Sequence, residues 1–138
     1  MKKFLSSLLL ICLLASCDKD SGNTTNPFIP NYSFSFEINM SLPAYSQLQY
    51  PSNAIYSGAG GARGVIIFNT GSGYVAFDAA CPNQPLAECS TMQIEGINAV
   101  CACDDAAYSL FTGQSPGKQY PLKQYRVQVS GNVLTVYN

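Results

Sequence analysis

The chain has 138 residues, of which 7 are basic and 8 acidic, and it contains no histidine. Charged residues are only 11% of the total, so there is no basic patch for nucleic acid, and without imidazole no histidine-based nucleophilic triad can form. Its length suits one domain with a single core of modest size.

Lys2 and Lys3 precede the apolar run Phe4 to Leu14, the n-region and h-region of a secretory signal peptide, expected over residues 1–16. A membrane-spanning helix needs about 20 apolar residues, so this run is too short to serve as one. Leu14-Ala15-Ser16-Cys17 resembles a bacterial lipobox, which implies cleavage before Cys17 and acylation of its thiol. The expectation is an exported lipoprotein held on the outer membrane, at its periplasmic or cell-surface face. Asp18-Lys19-Asp20 resembles the charged sorting tags of some exported lipoproteins. Residues 17–31 are polar and broken by proline and glycine, as in a flexible tether, and the folded domain is expected over 32–138. Without Lys2 and Lys3 the balance is five basic against eight acidic residues, a formal −3.

Beyond residue 31 helical periodicity is scarce and strand signals are frequent. Tyr32 to Met40 alternates apolar with polar side chains, the pattern of a half-buried strand. Pro43 to Leu48 has room for one helical turn. Short strands are expected at Ala54 to Tyr56, Val65 to Asn69, Tyr74 to Asp78, Thr91 to Ile94, Asn98 to Cys101 and Tyr108 to Leu110. A terminal hairpin joins Tyr125–Val129 to Val133–Tyr137 through Ser130-Gly131-Asn132. Many short strands separated by turns predict an all-β antiparallel sandwich or partly open barrel. The glycine cluster Gly58 to Gly64 lacks the Gly-Lys-Ser/Thr ending of a phosphate loop and leads into a strand rather than a helix, which argues against nucleotide binding.

Four cysteines, Cys81, Cys89, Cys101 and Cys103, lie within 23 residues. Their spacing matches neither a pair of zinc knuckles nor a plant-type ferredoxin. In an oxidising compartment neighbouring thiols pair with one another. A Cys101–Cys103 bond would strain a very short ring, so the pairings left open are those that cross between the two segments. Asp78, Asp104 and Asp105 are candidates for a loop-tip calcium site, although adjacent carboxylates are more often just solvated. They do not make a glycosidase pair. No catalytic residues emerge, and the chain is not expected to be an enzyme.

The order of several segments carries a resemblance. Tyr74 to Asn83, then Cys101-Ala102-Cys103-Asp104, then Tyr108 to Gly113, Ser115-Pro116-Gly117 and Pro121-Leu122 resemble the Rieske domain over most of residues 36–138. That family carries Cys-x-His and Cys-x-x-His loops around a 2Fe-2S cluster, with a proline-containing loop covering it. Carried over, Cys81 and Cys101 match the two cysteine ligands, while Asn83 and Asp104 stand where the two histidines belong. Cys103 matches the middle cysteine of the second loop, which in respiratory members is disulfide-bonded to the first. The resemblance therefore implies Cys89–Cys103, with Cys81–Cys101 joining the former ligand positions. Asp105 and Ala106 replace the Gly-Ser that follows the second histidine.

An imidazole supplies a neutral nitrogen lone pair to the second iron. Asparagine offers only a weak carbonyl oxygen, and aspartate a hard, charged one. The sequence thus leads to a Rieske-like domain with two disulfide-stapled loops and no metal or cofactor, in a structural or binding role, anchored to a membrane through Cys17. Its protein partner is not written in the sequence. The alternatives are electron transfer through an atypical 2Fe-2S cluster, as in the ferredoxin-like components, or thiol–disulfide exchange at Cys101-Ala102-Cys103. The two aspartates that follow oppose thiolate formation there.

Overall fold

A computed structural model describes residues 25–138. The signal peptide at 1–16, the acylation site Cys17 and the tag at 18–20 lie outside the described residues. The described part of the expected tether is not all loose. From Asn26 onward the chain lies against the domain: Asn26 Nδ2 donates to the carbonyl of Pro82 at 2.7 Å, Phe28 meets the Tyr120 ring edge-on, and Ile29 is buried. Packing thus begins six residues before the expected Tyr32. The apolar Phe28 and Ile29, set between two prolines, are the physical reason.

The described residues are all-β. Among them are nine strands: β1 (Ser35–Asn39), β2 (Ala54–Ser57), β3 (Val65–Asn69), β4 (Tyr74–Asp78), β5 (Gln93–Glu95), β6 (Asn98–Val100), β7 (Ala107–Ser109), β8 (Gln124–Ser130) and β9 (Val133–Tyr137). Six form one antiparallel sheet in the order β1-β9-β8-β4-β3-β2, and β5-β6-β7 form a second, smaller one. β3, β4 and β9 have the bounds expected from the sequence. β1 is shorter than the nine alternating residues, yet the alternation holds: Ile38 and Met40 are buried, and Glu37 and Asn39 are exposed. Pro43 to Leu48 does make a helical turn, a short 3-10 one at Ser46–Gln49 that buries Leu48.

β3 lies between β4 and the edge strand β2 and is buried along its whole length. Successive side chains point to opposite faces, so one strand serves two cores. Val65 and Ile67 join Ile38, Leu48, Leu134 and Val136 on one face. Ile66 and Phe68 join Phe77, Met92, Tyr108 and Leu110 on the other, beneath the loops of the small sheet. Each fully buried side chain of this size stabilises the fold by roughly 1.5–3 kcal/mol.

Candidate functional site

Three loops meet at one end of the molecule: 79–92, between β4 and β5; 101–106, between β6 and β7; and 110–123, between β7 and β8. Backbone bonds aim the first. Met92 N donates to the Ala79 carbonyl and Cys81 N to that of Ser90, folding the loop back on itself. The second is a tight turn in which Asp105 N donates to the Cys101 carbonyl, with Asp105 in the left-handed region at φ 58°. Two disulfides tie these loops together, Cys81–Cys101 with Cα atoms 5.6 Å apart and Cys89–Cys103 at 5.1 Å. The Cys81–Cys101 bond lies in the apolar cluster, and Gln84 Nε2 donates to Cys101 Sγ at 3.0 Å.

Asn83 and Asp104, the positions that resemble histidine ligands, both hold the third loop. Asn83 Nδ2 donates to the Tyr108 hydroxyl and the Tyr120 carbonyl, each at 2.8 Å, and its Oδ1 accepts from Tyr120 N at 2.9 Å. Asp104 pairs with Lys118 at 2.8 Å through Oδ2 and accepts from Ala106 N at 3.1 Å through Oδ1. The hydrogen bond from Lys118 is the main cause holding the Asp104 carboxyl below its usual range, and the same contact raises Lys118. Tyr108 is fully buried, and burial pushes its phenol upward.

Asp78 is also fully buried, below the loops, and it does not approach Asp104 and Asp105 to form a cation site. Its carboxylate accepts from Ala62 N at 2.6 Å, Ala80 N at 2.7 Å, Arg63 N at 3.3 Å and the Tyr125 hydroxyl at 2.6 Å. The glycine cluster thus does cradle an anion, but an internal one. Gly61 sits at φ +69°, where a Cβ would lie 2.8 Å from Asp78 Oδ2, so the close approach excludes a side chain. Burial, and next the Asp78 bond, push the Tyr125 phenol far above its usual range. Among the described residues, the three ligand-type side chains brought within 4.8 Å of one another are Cys81, Cys101 and Cys103. Sequence reasoning missed Gln84, Tyr108, Lys118 and Tyr120, because their roles arise from pairings 14 to 37 residues apart.

No protein-family model matches the sequence, and no curated protein matches it. Solved structures do. One chain of a complex of reduced oxygenase and oxidized ferredoxin in carbazole 1,9a-dioxygenase superposes with a TM-score of 0.52 at 20% identity, covering 75% of this chain and 92% of its own. The fold is Rieske-like. The putative NADH-dependent nitrite reductase small subunit of Mycobacterium tuberculosis (TM-score 0.47, 15% identity, 78% and 97% covered) and the ferredoxin of Sphingomonas yanoikuyae B1 (0.47, 14%, 67% and 93%) are also similar.

A Rieske centre requires two thiolates and two imidazole nitrogens around the irons. Here the sulfurs of Cys81 and Cys101 are bonded to each other, and the side-chain atoms of Asn83 and Asp104 are spent on Tyr108, Tyr120, Lys118 and Ala106. The donor set does not fit that cluster.

Proposed function

We propose that this is an exported, lipid-anchored Rieske-like domain that carries no iron–sulfur cluster and works as a structural or binding module, presenting its stapled loops to a protein partner. One observation carries the reading: both positions that resemble histidine ligands fasten the third loop instead of facing an open metal site. A loop end built this way is rigid without metal, as a preorganised docking surface requires. No nucleophile and base are paired at the loops, which favours a non-catalytic role.

The test is iron and acid-labile sulfide analysis of anaerobically purified protein, with its intact mass before and after reduction. The expected result is no iron and a gain of four hydrogens, two for each disulfide. Stoichiometric iron and sulfide overturn the reading in favour of electron transfer through an atypical 2Fe-2S cluster. That alternative has in its favour the similar structure from the complex of reduced oxygenase and oxidized ferredoxin in carbazole 1,9a-dioxygenase. Membrane attachment is tested separately: Cys17→Ser is expected to move the protein from the detergent phase to the aqueous phase.

A further inference from the structure

We propose that the two disulfides form a thiol–disulfide exchange relay, in which a partner dithiol reduces the outer bond and the inner bond then changes partner. The proposal rests on the reading that the four sulfurs bond to one another and not to iron.

The two bonds differ in access. Cys89 is exposed and Cys103 half-buried, whereas Cys81 and Cys101 are buried at 1% and 0% exposure. An incoming thiolate therefore reaches Cys89 and not the inner bond. The bonds are also adjacent, since Cys103 Sγ lies within 4.8 Å of both inner sulfurs. Rotation about Cα–Cβ moves a sulfur by up to about 3 Å, enough to close such a gap.

In the first step a thiolate of the partner attacks Cys89 Sγ. A mixed disulfide forms, the Cys89–Cys103 bond breaks, and its electron pair stays on Cys103, whose Sγ has the Ser90 hydroxyl 4.0 Å away. The Cys103 thiolate then faces two sulfurs. Attack on Cys101 would close the strained Cys-x-Cys ring. Attack on Cys81 forms Cys81–Cys103 and leaves the electron pair on Cys101, where Gln84 Nε2 already donates at 3.0 Å and stabilises the departing thiolate. Gln84 is thus a positioning residue that sets the direction. Finally the partner's second thiol attacks its own sulfur in the mixed disulfide and releases Cys89. The partner loses two electrons and two protons and becomes a disulfide. The domain gains them as thiols on Cys89 and Cys101 and keeps one bond, Cys81–Cys103.

The experiment treats the full chain, purified in detergent, with one equivalent of dithiothreitol as the dithiol, followed by acid quench, alkylation with N-ethylmaleimide and peptide mapping. Peptides cross-linked through Cys81–Cys103, with label on Cys89 and Cys101, are the expected result. Label on Cys89 and Cys103 with Cys81–Cys101 intact overturns the relay, as does label on Cys81 and Cys101 with Cys89–Cys103 intact. Gln84→Leu is expected to lower the rate of Cys81–Cys103 formation about tenfold, from the loss of a hydrogen bond to a charged sulfur, with Cys89 labelled as before; an unchanged rate removes Gln84 from the proposal. Cys89→Ser leaves Cys103 unpaired from the start and should yield Cys81–Cys103 without reductant, and its absence again overturns the relay. Iron or sulfide in the starting material would instead remove the reading on which the relay rests.

Discussion

On one face of β3, Val65 and Ile67 pack with Ile38, Leu48, Leu134 and Val136 in a core made almost wholly of apolar side chains. On the other face, Ile66 and Phe68 support a smaller sheet whose loops are held by two disulfides, an ion pair and the amide of Asn83. The first region is indifferent to redox state and nearly so to pH, because its side chains include no cysteine and no ionisable group other than the phenols of Tyr45, Tyr74 and Tyr125. The second depends on both. The short strands β5, β6 and β7, three residues each, have too little ladder to stand alone, which is why covalent ties are placed there.

The sharpest way to break that contrast is to reduce both disulfides. In the chain-entropy picture each contributes about 3 kcal/mol, so the loss approaches about 6 kcal/mol. Hydrogen exchange should then show β5, β6 and β7 opening while β3, β4, β8 and β9 stay protected; simultaneous exchange of all of them would erase the distinction. Next comes Ile67→Ala, on the apolar side, with a cost of about 3 kcal/mol in urea unfolding and the same slowing factor lost from every protected amide. Asn83→Ala comes third, at about 2 kcal/mol, since the Tyr108 hydroxyl and the Tyr120 backbone lose their partner. Its effect should be confined to exchange of the third loop.

The smallest effect is acid titration of the Asp104–Lys118 pair, and it carries a sign. The folded carboxyl lies below the ordinary aspartate value, so its stabilisation is complete above that value and is lost as pH falls through the lower folded one. The pair is partly solvent-exposed, which screens it. Lys118→Met should remove this acid-side dependence from the third loop, measured by exchange against pH, and leave the β3 core unchanged.

Much of the apolar side was legible in the sequence. Alternation in 32–40 and 133–137, and the turn residues around 70–73 and 130–132, are local signals that place strands to within a few residues. Val65-Ile66-Ile67-Phe68 shows no alternation because both its faces are buried, and a short apolar run bounded by turns is still readable as a strand. At the loop end the cysteines were legible as residues, and resemblance implied how they pair. Their polar neighbours were not. Asp78 reads as a loop carboxylate, yet it is buried beneath a glycine-rich segment 15 residues earlier in the chain, and nothing local signals that encounter. The fastening of Tyr120 by Asn83 spans 37 residues. Phe28 and Ile29 lie in a stretch whose composition suggests a tether, and two apolar residues between prolines are too few to raise a strand or helix signal.

The third loop is fastened by the same two side chains that a cluster would need replaced, and this makes any route to iron discontinuous. Asn83→His unlatches Tyr120 while supplying only one of two nitrogens, and Asp104→His frees Lys118 with the same shortfall. Either single change leaves the molecule with a slack lid and still no complete coordination sphere. Binding such a cluster would therefore require both exchanges together with an opened Cys81–Cys101 bond, a barrier of simultaneous changes that holds the frame in its covalent form.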